Sequence, residues 1–138
     1  MNLAKEKIET TTTFVWIRND GIICVQVKDN AEVELEDSIQ TFEVVKKLAG
    51  EGKKPVLVLT GIGGTITPEV REFSSSERAS EPTLAEAIVV KSLAHRIIVN
   101  FIINFNKPAR PIKLFNDEKE AVKWLKEMER KYLKSKAA

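Results

Sequence analysis

Two short runs constrain this chain most: PVLVLTG from Pro55 and AEAIVV from Ala85 to Val90, each nearly continuously apolar. A strand without an alternating polar face is covered on both sides, as in a parallel sheet flanked by helices. The segments around these runs change period. Leu35, Ile39, Phe42, Val45 and Ala49 recur at helical spacing between Glu34 and Gly50, and Gly50 and Gly52 end the run. After the first run, Thr67-Pro68-Glu69 supplies an N-cap, a proline suited to the first helical position and an acidic residue at the positive helix end. That second helix has only Val70 and Phe73 as large apolar residues before Ser74-Ser75-Ser76, which predicts a short, weakly anchored element.

The remaining chain completes the alternation. Residues 11–18 (TTTFVWIR) and 22–28 (IICVQVK) are rich in β-branched and aromatic residues and flank Asn19-Asp20-Gly21, which predicts a β-hairpin. Ser92 caps a third helix running to about Phe105, stopped by Asn106, Lys107 and Pro108. Pro111 to Phe115 forms a last strand, and Asn116 or Asp117 caps a final helix to about Lys134 with Ala121, Leu125, Met128 and Tyr132 inward and Trp124 at the edge of the stripe. The expectation is a single α/β domain over residues 1–138, loose at 1–9 and frayed at 135–138. Its mixed sheet has about five strands, antiparallel in the N-terminal hairpin and mainly parallel afterwards, with about four helices.

Composition narrows the function classes. The 138 residues carry 22 basic and 20 acidic side chains, a net +2 with no basic face outside the C-terminal tail, which argues against nucleic acid as a partner. The single cysteine, Cys24, sits in an apolar run, where it acts as a small hydrophobe, and no Cys/His spacing suits zinc. Glu32, Glu34, Glu36 and Asp37 read as a solvated helix start and not as a metal site. No run is long enough to span a bilayer, and the N-terminus lacks the apolar core of a signal peptide. The expectation is a cytoplasmic chain without cofactor or metal.

Three places carry candidate chemistry. The loop containing Gly61, Gly63, Gly64, Thr65 and Thr67 ends a strand and opens a helix, where backbone amides can meet an anion. Its glycine spacing matches no phosphate-loop pattern, and a tight turn requiring positive φ explains it as well. Arg71, Arg78 and Arg96 would form an anion pocket if the second and third helices are neighbours, although ion pairs with Glu69, Glu72 or Glu77 explain them equally. His95, the only histidine, has no nucleophile or carboxylate at a motif spacing. The third helix is apolar nearly all round. Ile97, Ile98, Phe101, Ile102 and Phe105 make a core stripe, leaving Val99 and Ile103 as a surplus ridge, and an exposed apolar ridge marks a partner or ligand surface.

The hairpin, the segment ELEDSIQTFEVVKKLAGEGKKPVLVLTG and the loop into ITPEVREFSS resemble a STAS domain, the fold of bacterial anti-sigma-factor antagonists. The segment AEAIVVKSLAHRIIVNFIINFNKPARPIKLFNDEKEAVKWL resembles a group of small bacterial STAS-like proteins, so the likeness covers about residues 10–130. It implies a phosphorylatable hydroxyl in the loop Thr60–Thr67. Thr65 or Thr67 is nearest to that position and Thr60 stands where an acidic residue is usual, but the usual Asp-Ser pair is absent. The fold is also similar to lipid-carrying CRAL-TRIO domains, whose helices cover an apolar cavity. Two functions follow as expectations. The first is a non-enzymatic regulatory module binding a protein partner or a second copy through its second helix, glycine loop and third helix. The second is a carrier or sensor of a small apolar or lipid-like molecule, with Phe73, Phe101 and Phe105 lining a pocket and Arg71 or Arg96 meeting its headgroup.

Overall fold

The computed structural model describes residues 6–137. Chain order is β1 (Ile8–Glu9), β2 (Thr13–Ile17), β3 (Ile23–Val27), β4 (Glu32–Val33), α1 (Leu35–Ala49), β5 (Lys54–Leu59) and β6 (Thr65–Ile66). It continues with α2 (Pro68–Ser75), the single-turn α3 (Glu77–Ser80), β7 (Thr83–Val89), α4 (Leu93–Phe101), a π-helical turn (Ile102–Asn106), β8 (Ile112–Phe115) and α5 (Glu118–Ala137). Six strands form one sheet in the order β1-β2-β3-β5-β7-β8, and β4 and β6 form a separate two-stranded ribbon. The hairpin pairs β2 with β3 antiparallel, with Val15 opposite Val25, whereas β3–β5, β5–β7 and β7–β8 are parallel.

This topology decides which helices share a face. From β3 to β5 to β7 to β8 the chain always steps in the same direction across the sheet. Right-handed crossovers then put every connecting helix on the same side. There Val45 and Ala49 of α1 pack on Val15, Ile23, Val25 and Val56, and Val99 of α4 packs on Ile88 and Val90. Only α5, which follows the last strand, is free to cover the other side. Its Ala121 and Leu125 are fully buried against Ile22, Cys24, Leu57, Ala87 and Val89, with Trp124, Met128 and Tyr132 at the margin.

The mixed sheet and the order of the main elements agree with the sequence reading. The additional elements, β1, β4, β6 and α3, are two to four residues long and show no periodicity. Within the stretch 1–9 expected to be loose, residues 8 and 9 form β1. Ile8 pairs with Val15, Glu9 with Phe14, and Lys28 Nζ stands 2.6 Å from a Glu9 carboxylate oxygen; residues 1–5 lie outside the described residues. At the other end α5 runs through Ala137, into the tail expected to fray at 135–138, and Ala138 lies outside the described residues.

Candidate functional site

On the side carrying α1, α2 and α4 the core divides into two clusters, one under α1 and one under α4, with Val58 of β5 packed against both. Between them lies a cavity of about 290 Å³. Val25, Val56, Val58 and Ile88 form its floor, and Phe42, Val70, Phe73, Ile98, Val99 and Ile102 are among the apolar side chains above. The short α2 is held as its sequence suggests. The Thr67 hydroxyl accepts from the Val70 amide at 3.2 Å, Val70 is buried, and Phe73 meets Phe42 edge-to-face with ring centres 5.6 Å apart. Two large apolar residues cannot fill the space between two flanking helices.

One wall of this cavity is charged. Glu86 lies on β7 one pleat from Ile88, on the cavity side of a strand that is apolar apart from Thr83, and it meets Arg110 from the segment before β8. Arg110 Nε donates to Glu86 Oε1 at 2.9 Å, and Nη2 stands 2.8 Å from that same oxygen. Arg110 Nη1 donates to the Ser74 carbonyl at 2.6 Å and to the Ser80 hydroxyl at 2.9 Å. The side chains are only 7% and 14% exposed, so this is a buried pair that also fastens the end of α2 and α3 to the sheet. The sequence reading missed both residues. The signal was present in AEAIVV, where a carboxylate interrupts a strand covered on both faces and so requires a buried cation.

The glycine loop is built by backbone contact with the β3–β4 connection. A Cβ on Gly61 would stand 2.7 Å from the Val27 carbonyl oxygen, and Gly64, at φ 93°, would bring one to 2.6 Å from that of Ala31. The Ile62 amide donates to Asp29 Oδ1 and the Thr65 amide to the Ala31 carbonyl, at 2.8 and 2.9 Å, so neither points to an anion. Thr60 Oγ donates to the Val89 carbonyl at 2.9 Å. Thr65 is exposed on the β4–β6 ribbon, and the Thr67 hydroxyl is engaged as the helix cap. His95 joins this loop to α4, with Nε2 at 2.8 Å from the Gly63 carbonyl oxygen. A carbonyl only accepts, so Nε2 carries the proton. His95 Nδ1 and, at the far end of the same segment, Asn106 Oδ1 are buried without a hydrogen-bond partner.

The third predicted helix is turned relative to its expected stripe: Ile98 and Ile102 face the cavity as expected, but the rest of the stripe and the surplus ridge exchange places. Val99 is 7% exposed and packs inward with Ile103, whereas Leu93, Ile97, Phe101 and Phe105 are 71%, 60%, 42% and 73% exposed. Periodicity divides an all-apolar helix into arcs but does not say which arc meets the sheet. The π-helical turn, closed by the Lys107 amide on the Ile102 carbonyl at 3.1 Å, further shifts the angular spacing near Phe105. The expected pocket lining is corrected accordingly. Phe73 lines the cavity, but Phe101 and Phe105 stack on each other outside it, with ring centres 4.6 Å apart. The three arginines do not converge. Arg71 lies over the Phe101 ring, Arg96 donates to Asn116 Oδ1 and Arg78 pairs with Glu43. Arg110 is the cation at the cavity.

Cys24 is buried beneath α5, and that burial, reinforced by the nearby Glu118 charge, pushes its thiol up to about 12, which keeps it protonated at neutral pH. Among the described residues no group of three or more His, Cys, Asp or Glu is placed to hold a metal ion, and no helix is long and apolar enough to cross a membrane.

A crystal structure of an uncharacterized protein of the DUF3478 family with a SpoIIAA-like fold, from Shewanella loihica PV-4, has a TM-score of 0.57 to this chain. The match covers 86% of this chain and 98% of that one at 14% identity. A protein of unknown function from Arthrobacter sp. FB24 matches at a TM-score of 0.33 and 23% identity, over 86% of this chain and 95% of that one. No curated protein matches the sequence. The Shewanella likeness shows that the fold is SpoIIAA-like, the STAS-like architecture implied by the hairpin and the parallel strands after it. Residues 15–129 match the family model described as a domain of unknown function, DUF7793, and the chain belongs to that family.

Proposed function

We propose that this chain is a non-catalytic binding module that holds a small, mainly apolar molecule between α1, α2 and α4, as its carrier or sensor. The cavity of about 290 Å³ between two separate core clusters carries the reading. An engineered apolar cavity of about 150 Å³ takes up benzene, so this one has room for about a dozen non-hydrogen atoms. A second reading, a regulatory module docking a second copy of the chain, has its own support in the exposed row Leu93, Ile97, Phe101 and Phe105, at successive four-residue steps along one helix face.

Native mass spectrometry of the chain purified from bacterial cells tests both readings in one spectrum. The cavity reading expects an adduct of small-molecule mass that is lost on denaturation and absent from Val58→Phe, which fills the space. An adduct undiminished in that variant, or a bare chain whose Val25 and Ile88 methyl resonances ignore added 1-decanol, overturns it. The docking reading expects a dimer that dissociates in Ile97→Asp/Phe105→Asp, and a wild-type monomer at every concentration rejects it. Val99 and Ile103 are unsuitable probes of docking because both face the core.

A further inference from the structure

Charge at the cavity narrows the class of ligand. Among the described residues lining it, Glu86, Arg110 and His95 are the only ionisable ones. Glu86 and Arg110 neutralise each other, and His95, which donates through Nε2 to the Gly63 carbonyl, keeps in that tautomer an unpartnered Nδ1 that can only accept, as from a hydroxyl. An anionic headgroup entering this space would gain a contact with Arg110 but stand against the Glu86 carboxylate, and a cationic one would meet the reverse. Either would give up its hydration without a free counter-charge, and an ion buried without compensation is strongly disfavoured. An uncharged polar group meets no such penalty. Both Arg110 contacts with Glu86 fall on Oε1, which leaves the other Glu86 oxygen outside the pair and, as a carboxylate oxygen, able to accept from a hydroxyl. The rest of the polar lining is mainly neutral hydroxyls, among them Thr13, Thr41 and Thr60.

We propose that the cavity selects an uncharged amphiphile of about a dozen non-hydrogen atoms, of the medium-chain alcohol type, seated with its hydroxyl at the Arg110–Glu86 pair and its chain among the valines of the sheet. This rests on the cavity reading above and adds to it the sign of charge the site refuses. Glu86 is then the residue that sets specificity, by cancelling Arg110.

The test compares 1-decanol, decanoate and decylamine, probes of nearly equal size that differ in headgroup charge. Binding is titrated below micelle-forming concentrations at neutral pH by isothermal calorimetry or by the shifts of the Val25, Val58 and Ile88 methyl resonances. The intact chain is expected to bind 1-decanol at least ten-fold more tightly than either charged probe. In Glu86→Gln, which keeps an oxygen for Arg110 but removes the negative charge, the ratio of decanoate to 1-decanol affinity is expected to rise at least ten-fold. Decanoate or decylamine binding the intact chain as tightly as 1-decanol overturns the charge argument and leaves the cavity reading standing. If none of the three shifts those methyl groups, the cavity reading itself is wrong. The wild-type comparison decides the matter even if Glu86→Gln does not fold.

Discussion

On the face covered by α5, Leu57, Ala87 and Val89 meet Ala121 and Leu125 directly, whereas on the face covered by α1, α2 and α4 neighbouring positions of the same two central strands present Val56, Val58, Glu86 and Ile88 to a cavity of about 290 Å³. The difference follows from how each cover is made. A single twenty-residue helix lies over one face and sends a continuous row of side chains into it. The other face is roofed by separate crossovers, each fixed to its own pair of strands. The middle one, α2, is eight residues long and has too little apolar surface to close the gap between its neighbours. Close packing stabilises the fold on the α5 side, and room for a guest arises on the other side from helices too short to fill it.

The contrast is sharpest for charge, and Arg110 offers the largest expected effect. Replacing it with leucine leaves Glu86 buried without a counter-ion and frees the Ser74 carbonyl and the Ser80 hydroxyl. Breaking a buried pair in this way costs about 3–5 kcal/mol, read as a lower urea midpoint. The double variant Arg110→Leu/Glu86→Leu is expected to recover most of that loss, because the uncompensated charge is gone. If the single variant unfolds at the wild-type midpoint, the cavity wall is wet enough to solvate Glu86 and the distinction between the faces is weaker than drawn.

A smaller effect separates the two faces by packing alone. Ala87 is fully buried beneath α5, and Ala87→Val adds two methyl groups where no space exists, at a cost of about 1–3 kcal/mol. Val58→Ile adds one methyl group towards the cavity and is expected to leave stability unchanged or raise it by about 0.5–1 kcal/mol, the range of successful cavity filling. Thermal midpoints moving in the same direction for both variants would mean that the gap is closed in solution.

The same contrast explains what the sequence disclosed. Elements whose local pattern already names their environment were legible: the Asn19-Asp20-Gly21 hairpin, the Thr67-Pro68 helix start, and α5 with Ala121 and Leu125 inward. The candidate site was legible in part. Its location near the second and third helices and the role of Phe73 follow from the residues, but the orientation of α4 does not, because a helix apolar on every side faces whichever way the sheet order turns it. Arg110 escaped for a different reason. Its partner Glu86 is 24 residues away, and their meeting depends on β7 and β8 being adjacent in the sheet.

The smallest expected effect lies at the rim of the well-packed face, where ion pairs are open to water. Arg18 binds Asp20 at 3.2 Å and Glu118 of α5 at 3.1 Å, and Lys126 of α5 stands 3.5 Å from Asp20, so the hairpin turn is tied to that helix by charge. Partial burial tends to raise the Asp20 carboxyl, but the hydrogen bonds from Arg18 and the Ile22 amide and the charges of Arg18 and Lys126 outweigh it. The net result is a carboxyl held below its ordinary 3.8. A carboxyl depressed by folding contributes stability that is present above its unfolded value and lost as pH falls through its folded one. Asp20→Asn keeps an oxygen for the Ile22 amide and removes only the charge. The variant is therefore expected to be less stable at neutral pH by at most about 1 kcal/mol, the range of solvent-exposed pairs. That deficit should hold steady down to about pH 4 and shrink below it as the wild-type carboxyl takes up its proton. Urea midpoints at neutral pH and well below pH 4 measure both limbs. A deficit that stays constant in acid would mean that Asp20 acts through the shape of the turn, and a deficit as large as that of Arg110→Leu would erase the distinction between rim and cavity charges.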